Sequence, residues 1–214
     1  MKQLLLLGAG GHCRSCIDVL EQTNDWHIAG IIDRIDASMT EVSGYPVIGS
    51  DEDLPELRKT YESALVTVGQ TASAEHRVRL FNLLEQLGFK QPGLVSPLAY
   101  VSPHARIGAG SVVMHQALVN TGASIGRNAI VNSKALVEHD AVIGDHTHVA
   151  TGAIVNGDVQ IGHGCLIGSG AVIKQGVQIA NHVIIGAGAR IIRDIASPGC
   201  YVDMGRELNQ VEGL

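Results

Sequence analysis

The clearest pattern in this chain is an Ile or Val at every sixth position of its second half. The series runs without a break from Val95 to Ile191, which makes seventeen consecutive hexads. Four positions after each of them stands a small or modest side chain, most often alanine. Neither an α-helix, with its period of 3.6, nor an alternating strand, with its period of 2, produces this repeat. The series consists of Val95, Val101, Ile107, Val113, Val119, Ile125, Val131, Val137, Ile143, Val149, Val155, Ile161, Ile167, Ile173, Ile179, Ile185 and Ile191.

Such a hexad predicts one short strand followed by a tight corner. Three hexads then close one triangular coil, with the aliphatic side chains pointing inward and the small ones fitting the corners. Successive coils pair as parallel strands about 4.8 Å apart. The dipeptide Ile-Gly recurs in every third hexad from Ile107 to Ile161, which supports the grouping by three. The sequence therefore predicts a parallel β-helix, a triangular prism without external loops, over residues 95–196.

The part of the chain before the hexads, residues 1–90, has a different organisation. Apolar runs and amphipathic stretches alternate, which is typical of a small parallel α/β unit of Rossmann-like type. Residues 89–97, with two prolines, connect this unit to the prism, and residues 197–214 form a C-terminal tail. The predicted strands are Lys2–Leu7, His27–Ile32 and Ala64–Val68, and the predicted helices are Arg14–Gln22 and Ala72–Leu87.

Composition narrows the classes of function. A net charge of −6 and the lack of a Lys/Arg cluster argue against nucleic-acid binding, which needs a basic surface. No apolar run reaches membrane-spanning length, and we expect no signal peptide before the first strand. The four cysteines have neither zinc-type spacing nor the density of a disulfide scaffold. We therefore expect a cytoplasmic protein with reduced thiols that binds neither nucleic acid nor membrane.

A glycine-rich loop, Gly8-Ala9-Gly10-Gly11-His12, lies between the first strand and the first helix. Backbone N–H groups at such a turn, with the helix N-terminus, can hold a phosphate. Asp33 ends the second strand, where a dinucleotide-binding fold places its ribose-binding acid. Because Cys13 replaces the third glycine of that fingerprint, a mononucleotide diphosphate is favoured over NAD. The alternatives without a ligand are that the loop is only a structural turn and that His12 is a solvated residue in the first turn of the helix.

Together with Gly44-Tyr45-Pro46-Val47-Ile48-Gly49 and the uninterrupted hexads, this loop makes the chain resemble a family of bacterial sugar acetyltransferases built on a left-handed β-helix. The family includes UDP-4-amino-sugar and GDP-perosamine N-acetyltransferases and sialic-acid O-acetyltransferases. The resemblance covers the chain from Met1 to about Ile195. It implies acetyl-CoA as donor, the amine of a nucleotide-linked 4-amino-4,6-dideoxy sugar as acceptor, and a homotrimer. Acetylation of a sialic-acid hydroxyl and a non-catalytic sugar-nucleotide-binding scaffold are the alternatives.

The family's catalytic motif is an Asn, a His seven residues later and a carboxylate directly after the His, here Asn132, His139 and Asp140. By this resemblance His139 is the general base and Asp140 orients it. Asn132 of the motif is predicted to contact the substrate, and so are the residues of the glycine loop and strand end described above, Gly8, Gly10, Gly11, His12 and Asp33. His148 and the Gly157 N–H line the acetyl-CoA site, the latter stabilising the acetyl oxygen. The family's C-terminal Gly-Val-Pro-Ala-Lys-like stretch is replaced here by Tyr201-Val202-Asp203-Met204-Gly205-Arg206, so tail contacts to coenzyme A are not carried over.

The hexad register supports part of this assignment independently. His139 and Gly157 are three hexads apart, so they occupy one column on adjacent coils, where a base and a bare N–H suit proton removal and oxyanion binding. Glu138 is a rival carboxylate for His139. His148 interrupts an otherwise apolar column, where a core histidine satisfied by the backbone is the alternative.

A metal site is not expected. A γ-type carbonic anhydrase uses this kind of prism with three zinc-binding histidines, two of them five residues apart. His146 and His182 share a column, but no histidine follows His182 at that distance.

Overall fold

The computed structural model describes residues 2–34, 40–203 and 208–211, and its N-terminal part is the predicted α/β unit. Its sheet has the strand order β3-β4-β2-β1-β5, parallel except for the antiparallel β3–β4 hairpin. That hairpin was not predicted, and Ser43 and Gly44 turn it with positive φ angles of 49° and 82°. The elements are β1 (Lys2–Leu7), α1 (Gly11–Glu21), β2 (Trp26–Ile32), β3 (Glu41–Val42), β4 (Tyr45–Gly49), a 3₁₀ turn (Asp51–Asp53), α2 (Leu54–Leu57), β5 (Ala64–Val66) and α3 (Glu75–Gln86).

Strand β1 is the centre of this unit because both of its faces are covered. Leu4 and Leu6 pack in one core with the apolar side of α1, while Leu5 and Leu7 pack in another with α3. Alternate side chains of a strand point to opposite faces, which separates the two sets. A strand buried on both sides reads as a continuous apolar run, and the four leucines have that form.

The second half of the chain is a left-handed parallel β-helix, as predicted, with three parallel sheets that form the faces of a prism. Face A contains β6, β9, β12, β15, β18 and β21; face B contains β7, β10, β13, β16, β19 and β22; face C contains β8, β11, β14, β17 and β20. The strands are β6 (Leu94–Val95), β7 (Tyr100–Val101), β8 (Arg106–Ile107), β9 (Val112–Val113), β10 (Leu118–Val119), β11 (Ser124–Ile125), β12 (Ile130–Val131), β13 (Leu136–Val137), β14 (Val142–Ile143), β15 (His148–Val149), β16 (Ile154–Val155), β17 (Gln160–Ile161), β18 (Leu166–Ile167), β19 (Val172–Ile173), β20 (Gln178–Ile179), β21 (Val183–Ile185) and β22 (Arg190–Ile191).

The hexad residues fill the prism interior from Val113 onward, where each is buried in one continuous core. The hexad residues at the start of the prism are less buried: Val95 pairs in register with the inward Val113 but is 37% exposed. Val101 and Ile107 are only partly buried. These three residues belong to the first coil, which has no preceding coil to cover it. The corners use a left-handed backbone every sixth position, including Asp140 with φ 60°.

The N-terminal unit packs on face A. Leu94, Val112 and Met114 of the prism join the core that contains Leu4 and Leu6 of β1. The two parts of the chain therefore share apolar packing, and this contact fixes where the glycine loop lies relative to the prism.

Beyond the hexads, β23 (Gly199–Asp203) pairs in parallel with β21 and so extends face A, and β24 (Leu208–Val211) pairs antiparallel with β23. The remainder of the predicted tail, residues 204–207 and 212–214, lies outside the described residues. Among the helices of the described ranges the longest is α3 with 12 residues, short of the roughly 20 needed to cross a bilayer.

Candidate active site

The glycine loop joins β1 to α1 and is fixed by Asp33. One carboxylate oxygen of Asp33 accepts the Ala9 N–H at 2.6 Å, and the other accepts the Arg34 N–H at 2.6 Å. Helix α1 begins at its Gly10 N-cap without a side-chain cap. A Cβ added at Gly10 or Gly11 would meet nothing within 4 Å. The first-turn N–H groups therefore border open space, which suits an anionic ligand.

The loop forms one wall of an open cleft of about 780 Å³ between the N-terminal unit and the prism. The opposite wall is the corner between faces A and B, which carries Asn132, Ser133 and Thr151, together with His148 of β15. The structure thus brings seven of the predicted site residues to one cleft: Gly8, Gly10, Gly11, His12, Asp33, Asn132 and His148.

A chain of hydrogen bonds orders the prism wall of the cleft. The Ser133 N–H donates to Asn132 Oδ1 at 2.8 Å, which leaves the amide nitrogen of Asn132 facing His148 Nε2 at 3.1 Å. His148 Nδ1 faces the backbone carbonyl of Gln70 at 3.1 Å. Because a carbonyl oxygen only accepts, Nδ1 carries the proton and Nε2 accepts from Asn132.

Two of the histidines that line the cleft, His12 and His148, are neutral near pH 7. Burial, helped by the charge of Arg77, lowers the pKa of His148 to about 4. Burial, followed by the charges of His148 and Arg77, lowers the pKa of His12 to about 3, although the side chain is only partly buried. His12 can therefore donate one hydrogen bond to a ligand but supplies no positive charge.

A second cluster lies at the corner between faces B and C, just after β13. His139 Nδ1 is 3.0 Å from Asp140 Oδ2, and the hydrogen bond to Asp140 raises the pKa of His139. The rival carboxylate, Glu138, instead accepts the backbone N–H of His139 at 3.1 Å and the amide of Asn120 at 2.7 Å. With Nδ1 donating to Asp140, the free lone pair of His139 is on Nε2.

Glycines on the neighbouring coils make room for this pair. A Cβ added to Gly157 would lie 2.6 Å from both Cε1 and Nε2 of His139. A Cβ on Gly122 would collide with Oδ1 of Asp140. Within the described residues the Gly157 N–H has no hydrogen-bond acceptor, so it is available beside the Nε2 of His139.

In a single chain the two clusters do not meet. His139, Asp140 and Gly157 do not line the cleft, because they lie at the opposite edge of face B from Asn132. The described residues contain no group of three or more His, Cys, Asp or Glu side chains suited to a metal ion.

Sequence reasoning missed Gln70, which lines the cleft, and Arg77, which lies behind it and bonds to Gln70. Arg77 is 2% exposed on the face of α3 that also buries Leu80, Phe81 and Leu84. The sequence did contain a signal for Arg77. It stands three, four and seven positions before Leu80, Phe81 and Leu84, so a charged residue occupies the apolar stripe of the helix.

Two family models match the chain. The one described as PglD N-terminal domain matches residues 3–82, and the one described as bacterial transferase hexapeptide (six repeats) matches residues 140–175 and 158–193. A comparison with curated proteins found no match.

Solved structures match over nearly the whole chain. The acetyltransferase domain of PglB from Neisseria gonorrhoeae FA1090, in complex with acetyl coenzyme A, is 33% identical with a TM-score of 0.90, covering 98% of this chain and 99% of that one. PerB from Caulobacter crescentus, in complex with CoA and GDP-perosamine, is 30% identical with a TM-score of 0.90, covering 98% of each chain. WeeI from Acinetobacter baumannii AYE, at 24% identity and a TM-score of 0.78, covers 99% of this chain and 100% of its own and is similar in fold alone.

Proposed function

This chain belongs to the hexapeptide-repeat family of sugar acetyltransferases, and we propose that it transfers an acetyl group from acetyl-CoA to the amine of a nucleotide-linked 4-amino-4,6-dideoxy sugar. The observation that carries the proposal is the His139–Asp140 pair beside the unpaired Gly157 N–H. The product serves surface-glycan or glycoprotein synthesis. The four cysteines are buried unpaired thiols, which fits action in the reducing cytoplasm.

The chemistry follows from the two nitrogens of His139. Asp140 holds the proton on Nδ1, so Nε2 takes a proton from the sugar amine as the amine nitrogen attacks the thioester carbon. The Gly157 N–H donates to the oxyanion of the tetrahedral intermediate. Removal of one such donor costs an enzyme roughly 3 kcal/mol of transition-state stabilisation. The carbon–sulfur bond then breaks, and coenzyme A leaves as a thiolate with little need for acid assistance.

The exposed side of face B supports a homotrimer as the working unit. Its outward residues are apolar along four successive coils, Leu118, Leu136, Ile154 and Val172, whereas those of face C include Arg106, Ser124, Gln160 and Gln178. All four apolar residues are only partly buried in the single chain. A contiguous apolar strip of this kind marks a protein contact, and a closed ring of three identical chains covers it.

Such a ring also reunites the two clusters. If the three copies turn face B toward the axis, the A–B corner of one chain meets the B–C corner of the next. His139, Asp140 and Gly157 of one subunit then approach the cleft with Asn132 and His148 of its neighbour. Acetyl-CoA lies between the two prisms, with His148 near its acetyl end.

In this arrangement residues 1–90 recognise the sugar nucleotide and residues 95–196 carry the chemistry. Of the C-terminal tail, residues 197–214, strand β23 extends face A. The N–H groups of Gly10 and Gly11 bind the diphosphate. Asp33 supports Gly8–Gly11 through its bond to Ala9, and His12 donates to a phosphate or sugar oxygen.

The test is release of coenzyme A when the protein is given acetyl-CoA and UDP-, dTDP- or GDP-linked 4-amino sugars. We expect one of these acceptors to be acetylated by the wild-type chain and not by His139→Ala. If no amino sugar is acetylated but a sialic acid is, the reaction is O-acetylation. If neither is acetylated while sugar nucleotide still binds, the chain is a scaffold.

Mixed trimers test the shared site. When His139→Ala and Asn132→Ala chains are refolded together in equal amounts, about a quarter of the interfaces combine two intact clusters in a ring with head-to-tail contacts. We expect activity to reappear to about that extent. Two inactive parents that stay inactive when mixed would argue for a site within one chain.

A further inference from the structure

A buried arginine lies behind the cleft, and no carboxylate of the described residues forms an ion pair with it. Arg77 of α3 donates through Nη1 to Gln70 Oε1 at 3.1 Å and through Nη2 to the backbone carbonyl of Asn128. None of the ion pairs among the described residues includes it. A charge at this depth is unfavourable unless its hydrogen bonds are satisfied. The forked guanidinium meets two fixed acceptors at once, which the point charge of a lysine does not do.

The side chain of Gln70 is held from both of its ends. Its oxygen accepts from Arg77, and its nitrogen donates to the backbone carbonyl of Cys165 at 3.3 Å. Gln70 is 5% exposed and belongs to the loop after β5, which has no regular structure of its own. The amide therefore fixes a loop residue of the N-terminal unit against face A of the prism.

The backbone carbonyl of that same residue sets the state of His148. It accepts from Nδ1 at 3.1 Å, while Asn132 donates to Nε2 at 3.1 Å. In the opposite tautomer the Nδ1 lone pair would face the carbonyl oxygen and the Nε2 proton would face the Asn132 amide protons. The position of the Gln70 carbonyl therefore selects one tautomer and one ring orientation.

We propose that Arg77 is a positioning residue for His148: by fixing the Gln70 side chain against the prism, it keeps the Gln70 carbonyl on Nδ1 and so presents His148 to the cleft with Nε2 unprotonated. This inference rests on the proposed function, in which His148 lines the acetyl-CoA site. Arg77 touches no reacting atom: it positions His148 through Gln70, and its charge separately helps to lower the pKa of His148.

The experiment compares Arg77→Met with Arg79→Met in the full-length trimer. Arg79 is on the same helix but is 54% exposed and pairs with Asp51, so its loss is a matched control. The tautomer of His148 is measured by nitrogen-15 NMR of histidine-labelled protein, with the resonance assigned through His148→Gln. We expect Arg77→Met to give a mixture of the Nδ1–H and Nε2–H forms, and Arg79→Met to keep the Nδ1–H form.

Kinetics supply the second readout. A misplacement of about 1 Å in a catalytic site costs on the order of 100-fold, so kcat of Arg77→Met should fall between about 10-fold and 100-fold. Because acetyl-CoA binding also depends on the rest of the prism, its KM should change less than about twofold. Gln70→Met should reproduce both effects, and the double variant should be no worse than either single one. Should Arg77→Met fail to assemble, Gln70→Met carries the comparison.

A pure Nδ1–H resonance in Arg77→Met, or losses that multiply in the double variant, would overturn the proposal. The tautomer measurement needs no turnover, which separates the two hypotheses. Suppose that the wild-type protein acetylates no acceptor but Arg77→Met still changes the tautomer of His148. The proposed function is then refuted, and the positioning role of Arg77 stands.

Discussion

Replacing Gly157 by alanine tests whether the base needs its present position. The added Cβ would lie 2.6 Å from Cε1 and Nε2 of His139. Carbon atoms in contact are normally about 3.5–4.0 Å apart, so the ring must move by roughly 1 Å. The backbone of Gly157 is not in the left-handed region, so alanine adds no backbone strain there. The imidazole is 44% exposed and can swing outward without disturbing the core.

The expected result is a folded protein with a large catalytic defect. A displacement of about 1 Å costs on the order of 100-fold in rate, which corresponds to about 2.7 kcal/mol of lost transition-state stabilisation. Thermal unfolding should remain close to wild type. Coenzyme A release can be followed with a thiol reagent, because all four cysteines of the chain are buried.

Gly93→Ala is the control for this substitution. A Cβ at Gly93 would find its nearest atom at 3.6 Å, an ordinary contact, and its φ is likewise outside the left-handed region. We expect Gly93→Ala to keep wild-type turnover. If Gly157→Ala turns over within about twofold of wild type, then His139 does not act from the position it occupies here.

Three further variants probe the rest of the site and the fold. The hydrogen bond that His139 donates to Asp140 raises the pKa of His139, so kcat/KM should fall as the pH drops through that raised value. In Asp140→Asn the acidic limb of the pH profile should move to lower pH and the plateau should drop, and an unmoved limb would contradict the pairing. Ile161→Asp buries an unpaired charge at a site 3% exposed, so the free energy of unfolding in urea should fall by several kcal/mol. Gln160→Asp, on the exposed side of the same strand, should lower it by less than about 1 kcal/mol. Equal losses in the two variants would refute the register. Asp33→Ala removes the carboxylate that fixes the glycine loop, so the KM for the sugar nucleotide should rise about 10-fold or more. The KM for acetyl-CoA should not change. An equal change in both KM values would contradict the role of Asp33 in the sugar-nucleotide site.

The strict period of the prism made much of the site accessible from the sequence. Because no insertion breaks the hexads, a separation of three hexads translates directly into neighbouring coils, and the structure places the His139 ring against Gly157. The register gave no information about which corners meet the N-terminal unit. Both the glycine loop and Asn132 were predicted to contact the substrate, but their distance from His139 depends on packing across face A and on assembly.

The boundaries of the N-terminal helices were less accurate than their existence, for local reasons. Helix α1 begins at Gly11 rather than Arg14, because the glycines predicted as loop include its N-cap and first turn. Helix α3 begins at Glu75 rather than Ala72, because the Ser73 hydroxyl accepts the Glu75 N–H and forms a separate turn before the helix.

The position just before each hexad residue carries information about the surroundings of the prism that the inward series does not. Those side chains point outward, and grouping every third one separates the three faces. On face A they are Leu94, Val112, Ile130, His148, Leu166 and Ile184, and the first five of them are buried in the single chain. His148 is the polar exception in that column because Gln70 and Asn132 satisfy both of its nitrogens.

On face B the outward column is again apolar over four coils but lies open in the single chain, while on face C it is mostly polar. A buried apolar column next to an open apolar column fits the proposed trimer, in which face A makes its contact within the chain and face B makes its contact between chains. The same grouping of outward residues could therefore assign domain contacts, subunit contacts and solvent-facing sides in other prisms of this kind from their amino-acid sequences.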